Sequence, residues 1–327
     1  MNRIKVVFGA DFSYSEQLVV TLKSICYHNR QVDFYVLNRD FPSEWFKAIQ
    51  MKLSAFDSTI TDIKIDNPTI KQFKTYPHIN SDATYFRYFI PQLLDFDKVL
   101  YLDCDLVVNG SLHNLFAIEL GKHFVAAAID PIMTQCHQKP DDFNAGVLLI
   151  NNRLWCDEDI CQKALSYTDQ KGDDLQYSDQ EVLNVLFKGR WLPLVNSANY
   201  QVGIDFMYAE KGMKFPNQDD FSQILPLIVH YSTTAKPWKN LFHTRLRELY
   251  WFYYSQDWSE IGGGVNQYDS QKFSSTNRRR HHFKYWTQRI GACNPKRQSS
   301  NLSSQALCDC RWRSIRRQSA SNCQKIS

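Results

Sequence analysis

The sequence predicts an α/β protein with a largely parallel sheet and helices on both faces. Short apolar runs of strand length alternate with amphipathic stretches of helical period from residue 4 to about residue 254. Acidic and imidazole side chains fall where several of those runs stop, at Asp11, Asp103, Asp105, Asp130 and His230. In open α/β sheets the carboxyl ends of the strands are where ligands bind. A chain of 327 residues is also long enough to bury a full core, as one large domain or two small ones.

Ile4 to Ala10 reads as a buried strand, and Ser15 to His28 as a helix with Leu18, Leu22 and Ile25 on one face. Residues 32–37 form the next strand, followed by a helix opening at Pro42 and Ser43 and a strand over 58–65. Residues 82–94 have a helical period in Tyr85, Phe89 and Leu93. A short apolar strand at 98–103 ends on an acidic cluster, and runs of strand length recur at 124–130 and 145–150. Helices are expected at 156–168 and 178–187, a buried strand at 225–232 and a helix at 240–254.

Composition narrows the class. A hydrophobic fraction of 43% with 14% aromatics excludes a disordered chain. No apolar run reaches the length of a membrane span, and the first residues carry only a short apolar stretch, so neither a transmembrane helix nor a signal peptide is expected. Cytoplasmic localisation follows as the expectation. The nine cysteines, odd in number and without a CxxC pair, suggest neither a disulfide framework nor a zinc cage. Residues 262–327 carry a net charge of +11 against +4 for the whole chain, which leaves −7 on residues 1–261. The expected organisation is thus a folded domain over 1–261 and a basic, poorly structured tail over 262–327. The tail is either a device for docking on an anionic membrane surface or a divergent end. The acidic body and the absence of RNA-binding motifs count against a nucleic-acid partner.

Asp103 and Asp105 flank Cys104 at the end of a buried strand. An isolated DxD is more often a solvated turn than a metal site, but two carboxylates there are costly unless a cation neutralises them. Oxygen ligands suit Mn²⁺, with Mg²⁺ as the other candidate, and such an ion also neutralises a leaving diphosphate. His230 ends another strand and suits a third ligand position, and Lys236 follows six residues later as a point charge for a diphosphate.

Seven segments, in order and spacing, resemble glycosyltransferase family 8, the retaining hexosyltransferases that include bacterial lipopolysaccharide galactosyl- and glucosyltransferases. They are FGADFSY (8–14), TYFRY (84–88), KVLYLDCDLVV (98–108), AAIDP (127–131), FNAGVLLIN (143–151), YSDQEVLN (177–184) and HYSTTAKPW (230–238). The resemblance implies a GT-A fold with a UDP-sugar donor at the strand ends. It implies Asp103, Asp105 and His230 as metal ligands, and Asp11 and Tyr14 as uridine contacts with Ser13 beside them. Arg87 would lie near the donor, Asp130, Asn144, Asp179 and Gln180 would line the donor sugar, and Lys236 would grip the diphosphate. The acceptor implied is a saccharide or glycolipid, lipopolysaccharide core first.

In two places the chain departs from the family pattern. Ser13 stands where Asn or Asp is usual, and Thr233 stands where HYxGxxKPW has glycine. A Cβ there restricts how closely backbone and phosphate approach. The competing readings are a catalytically weak or inactive UDP-sugar-binding protein, and a sugar-nucleotide hydrolase or nucleotidyltransferase. With the amide of Gln180 the implied nearest group to the anomeric carbon, a same-face transfer is expected, with a covalent intermediate on Asp179 as its rival.

Overall fold

A computed structural model describes residues 3–73, 81–172, 174–202, 225–239 and 245–263, all within one compact unit. The basic segment from residue 264 onward lies outside the described residues.

Strand β1 (Ile4–Gly9) is followed by helix α1 (Ser15–His28), β2 (Val32–Asn38), α2 (Ser43–Leu53) and β3 (Thr59–Lys64). After the segment 74–80, which is not described, come a 3-10 helix (Asp82–Phe89), the short α3 (Ile90–Leu93), β4 (Lys98–Leu102), β5 (Leu106–Val108) and α4 (His113–Phe116). Next are β6 (Val125–Ala127), α5 (Pro131–His137), β7 (Val147–Asn151), α6 (Asn152–Asp157), α7 (Ile160–Lys171) and α8 (Ser178–Leu186). The described chain closes with β8 (Trp191–Pro193), β9 (Tyr200–Gln201), β10 (Ile228–His230), α9 (Arg247–Ser255) and α10 (Trp258–Gly263).

Seven strands form one sheet in the order β3-β2-β1-β4-β7-β6-β8. Every neighbouring pair is parallel except the two that β7 makes, with β4 and with β6. The sheet is thus mostly parallel, with one reversed strand near its middle. Its inner strands β1, β4 and β7 are largely buried on both faces, which is why they read as continuous apolar runs. Two apolar clusters cover those faces. One gathers α1, α2 and the small second sheet, the other the 3-10 helix, α7 and α8.

The second sheet, β5-β10-β9, determines where the site lies. The chain leaves the large sheet at Leu102 and joins the small one at Leu106, so the Asp-Cys-Asp segment is the crossing between them. Helix α1 braces this crossing with polar side chains on its buried face. The hydroxyl of Thr21 is shared between the carbonyls of Cys104 and Leu106, at 3.0 and 2.8 Å, and Ser24 Oγ accepts from Val108 N at 2.9 Å.

Several elements differ from the sequence expectation for identifiable reasons. Residues 82–89 wind as a 3-10 helix, not an α-helix: residue 91 is proline and cannot donate to the Arg87 carbonyl, so Ile90 N takes it. The helix expected at 156–168 is broken by Asp159 in a left-handed conformation, φ 50°. Of the helix expected at 240–254, residues 240–244 lie outside the described residues; Leu246 has φ 56°, and the helix starts at Arg247. β10 is only three residues long because its partner β5 is equally short. The cysteines at 26, 104, 156 and 161 are free. Among the described residues no helix is long and apolar enough to cross a membrane.

Candidate active site

Strand pairing brings the Asp-Cys-Asp segment and His230 together across 125 positions of sequence. Asp103 N donates to the carbonyl of Gly146 at 2.8 Å, which ties the segment to the start of β7. On the other side, His230 pairs with Leu106 in the antiparallel β10–β5 ladder, and Tyr231 N donates to the Asp105 carbonyl at 2.9 Å. One ligand atom from each of Asp103, Asp105 and His230 then lies within 4.8 Å of the others. His230 Nε2 is 3.2 Å from Asp105 Oδ1 and 3.7 Å from Asp103 Oδ2.

The residues present fit a divalent cation. Asp105 Oδ1 is buried and accepts no hydrogen bond from the described residues, a costly state for a carboxylate oxygen unless a cation faces it. Two carboxylate oxygens and one imidazole nitrogen are a donor set that a divalent first-row cation such as Mn²⁺ accepts, while the nitrogen suits Mg²⁺ less well. The other oxygen, Asp105 Oδ2, accepts from Lys236 Nζ, which also donates to the Tyr231 carbonyl at 2.6 Å. Burial alone would raise the Asp105 carboxyl, but the facing ammonium of Lys236, first among its neighbours, helps to outweigh it and hold the group well below the usual carboxylate range.

Arg87 joins this centre to a second carboxylate. Its guanidinium is buried, donates to Asp103 Oδ1 at 3.1 Å, pairs through Nε with Asp179 Oδ2 at 3.0 Å and donates to the Ala145 carbonyl. Burial opposes its charge, and the carboxylates of Asp179 and Asp103 help to outweigh that penalty. Tyr101 also donates to Asp103 Oδ1 at 3.1 Å, and its ring lies 4.2 Å from the guanidinium carbon. Asp179 Oδ1 accepts from the Thr84 hydroxyl; burial raises the Asp179 carboxyl even against the attraction of Arg87.

Asp130, Asn144 and Gln180 form one network. Asp130 Oδ2 accepts from Asn144 Nδ2 at 3.1 Å and from Gln180 Nε2 at 2.9 Å. Its Oδ1 caps α5, accepting from Ile132 N and Met133 N at 2.8 and 3.1 Å. Gln180 Oε1 accepts from Ala145 N at 3.1 Å and from Asn144 Nδ2 at 3.2 Å. Asp179 and Gln180 follow Ser178, the first residue of α8 and a fully buried one at φ 47°.

Asp11 caps the turn after β1: its Oδ1 accepts from Ser13 N at 3.0 Å and from the Ser13 hydroxyl. Tyr14 packs edge-on against Trp238 at 6.3 Å. Burial, then the charge of Asp105, raises its phenol far above the usual range. Thr233 is not among the described residues with positive φ, so the backbone there does not itself demand glycine.

Reasoning from sequence missed two residues. Gly146 lies inside the FNAGVLLIN segment, where a glycine at the head of a strand signals close approach of another group. A Cβ on it would stand 2.2 Å from His230 Cε1 and 2.7 Å from Asp103 Oδ2. Asn199, buried in the turn before β9, places Oδ1 3.0 Å from His230 Nδ1, and nothing in its local sequence marks it.

Residues 5–241 match the sequence profile of the family "Glycosyl transferase family 8". The chain belongs to glycosyl transferase family 8. Within family 8 it is 40% identical over 259 residues to the glycosyltransferase GlyF of Streptococcus pneumoniae serotype 4, a match covering 79% of this chain and 63% of GlyF. The crystal structure of the apo form of GlyE from Streptococcus pneumoniae TIGR4 superposes with a TM-score of 0.71 at 38% identity, over 80% of this chain and 63% of that one. The galactosyltransferase LgtC in complex with donor and acceptor sugar analogs superposes with a TM-score of 0.64 at 26% identity, over 83% of this chain and all of LgtC. The fold is of the GT-A type that such family 8 structures share. The chain spans a little under two thirds of GlyF and GlyE, the pneumococcal relatives it matches.

Proposed function

We propose that the protein is a retaining glycosyltransferase that moves a hexose, galactose or glucose, from a UDP-sugar to a saccharide acceptor. The observation that carries the proposal is the convergence of Asp103, Asp105 and His230, with Lys236 held against Asp105. LgtC, bound to donor and acceptor sugar analogs, supports the same class of substrates.

In this reading Asp103, Asp105 and His230 hold Mn²⁺, or Mg²⁺ in its place. The ion supplies Lewis-acid neutralisation of the diphosphate charge. Lys236 exchanges its contact with Asp105 for the diphosphate and adds a second positive charge where negative charge develops. Asp11 and Tyr14 orient the uridine, the carboxylate by hydrogen bonding and the ring by stacking. Asn144, Gln180, Asp179 and Asp130 shape the sugar pocket, and Arg87 keeps the carboxylates of Asp103 and Asp179 in place. The bond from the anomeric carbon to the diphosphate oxygen breaks and the bond to the acceptor oxygen forms on the same face. The acceptor's proton passes to the departing phosphate. Same-face transfer is favoured over a covalent intermediate because Gln180 Oε1 is already engaged by two N–H groups and Asp179 is tied to Thr84 and Arg87. Trapping of a glycosylated Asp179 peptide would reverse that preference.

Lipopolysaccharide core is the first acceptor to try, on the resemblance of the motifs. The basic segment 262–327 would dock the enzyme on an anionic membrane surface, on the strength of its charge.

The test is incubation of the full chain with Mn²⁺, each of UDP-galactose and UDP-glucose, and candidate saccharides, following UDP by coupled assay and products by mass spectrometry. Acceptor-dependent UDP release with a product heavier by one hexose is expected. Release of UMP, or binding of UDP without turnover, would overturn the proposal.

A further inference from the structure

We infer that Asn199 is a positioning residue that sets which nitrogen of His230 faces the two carboxylates, and that it couples this choice to the donor-sugar network. The inference deepens the proposed metal site and rests on that reading for its consequence, though not for its geometry.

A backbone donor settles which atoms of these amides are oxygens. Gly146 N donates to Asn144 Oδ1 at 3.0 Å. A backbone N–H is always a donor, so that atom of the Asn144 amide is its oxygen. The amide group of Asn199 that meets the same oxygen at 2.9 Å is therefore its NH₂. The Asn199 oxygen then points the other way, at His230 Nδ1, 3.0 Å distant. Only a protonated Nδ1 can satisfy an oxygen acceptor there, so the neutral imidazole carries its hydrogen on Nδ1 and presents a bare lone pair at Nε2. That lone pair faces Asp105 Oδ1 at 3.2 Å and Asp103 Oδ2 at 3.7 Å. With the ring neutral, three lone-pair donors converge on one point, and none of the three can satisfy another.

Asn199 is positioned for this role by strand pairing. It precedes β9, which runs parallel to β10 with Gln201 opposite His230, and both Asn199 and His230 are 2% exposed. The same amide reaches in the opposite direction through Asn144 to Asp130 and Gln180. A shift of Asn144 on donor binding would therefore be transmitted through one side chain to the imidazole.

The test uses Asn199→Ala, which removes the acceptor, and Asn199→Asp, which keeps an acceptor for Nδ1 and loses the donor to Asn144. Mn²⁺ affinity of the full chain is measured by electron paramagnetic resonance of the free ion in the presence of UDP, with thermal unfolding to verify folding. Asn199→Ala should weaken Mn²⁺ binding by about 10- to 100-fold, the usual cost of losing a partner that orients a histidine ligand. Asn199→Asp should retain most of the affinity. In a His230→Ala background, Asn199→Ala should add no more than about a twofold change, within the error of additivity. In parallel, ¹⁵N spectra of histidine-labelled, metal-free protein, assigned with His230→Ala, should show His230 protonated and hydrogen-bonded at Nδ1 in the wild type and loss of that preference in Asn199→Ala. Unchanged affinity in Asn199→Ala, an equal loss with and without His230, or a wild-type ring protonated at Nε2 alone would overturn the inference. If the wild type binds no Mn²⁺ at all, the metal reading fails, and the nitrogen spectra alone decide the role of Asn199. If a misfolded alanine variant confuses the binding result, the aspartate variant and the wild-type spectrum still decide.

Discussion

Replacing Gly146 with alanine adds one methyl group, and the structure shows where it must go. The new Cβ would lie 2.2 Å from His230 Cε1, 2.7 Å from Asp103 Oδ2 and 2.9 Å from His230 Nδ1. Carbon atoms in contact rest about 3.5–4.0 Å apart, so the ring would have to retreat by roughly 1.3–1.8 Å. The backbone cannot move away instead without cost, because Gly146 donates to Asn144 Oδ1 and accepts from Asp103 N. Overpacking of this kind destabilises by about 1–3 kcal/mol. The effect on function should be larger. Metal–ligand distances tolerate only about ±0.2 Å, and a misplacement of about 1 Å in a catalytic constellation can cost roughly 100-fold in rate. Gly146→Ala should therefore remain folded, with a modest fall in Tm, while losing about 100-fold or more in Mn²⁺-supported UDP release and binding Mn²⁺ far more weakly. Calorimetry, a coupled UDP assay and a Mn²⁺ titration measure the three quantities. Wild-type-like metal affinity and turnover in a folded Gly146→Ala protein would refute the claim that His230 and Asp103 work from the positions described.

Other substitutions probe the surrounding shell. Asp105→Asn removes both a candidate metal ligand and the partner of Lys236, and should lower transfer by at least about 100-fold, in the range seen when one transition-state charge stabiliser is lost; near-normal turnover would exclude Asp105 from the site. Arg87→Met leaves Asp103 and Asp179 without their shared cation, and breaking a buried pair typically costs about 3–5 kcal/mol. At about 2–4 °C per kcal/mol for a domain of this size, thermal unfolding should move down by roughly 6–20 °C, and a shift of only a degree or two would mean that the carboxylates are already neutralised otherwise. Ser178→Gly relieves a left-handed φ worth about 1–2 kcal/mol and should preserve transfer while raising or maintaining Tm, whereas the β-branched Ser178→Val should unfold at lower temperature. Lower stability in the glycine variant would show that the serine side chain itself holds α8 in place.

Much of the frame was legible in the sequence because it is locally encoded. β1, α1 and β2 stand close to where apolar runs and helical period placed them, since each buries most of one local stretch of side chains, and β3 follows them although only Ile60 of its six residues is buried. The reversal of β7 was not legible. Its apolar run is the same whether the strand lies parallel or antiparallel to β4, and only the path of the chain decides. The 3-10 winding at 82–89 could have been anticipated from Pro91, four residues beyond Arg87. Within the site, the acidic pair and His230 stood out as polar residues at strand ends, and the structure brings them together. Asn199 did not stand out, because a buried asparagine in a turn has the same local sequence whether it faces solvent, backbone or an imidazole. Its role depends on the pairing of β9 with β10, a contact between distant parts of the chain.

The most direct test of the central claim is a Mn²⁺ titration of the 327-residue chain in the presence of UDP, comparing wild type with Asp103→Asn, Asp105→Asn and His230→Ala. One tightly bound ion per wild-type chain is predicted, with binding lost or greatly weakened in each variant and UDP release abolished by excess EDTA. Equal Mn²⁺ binding in all four proteins, or full turnover in EDTA, would contradict it.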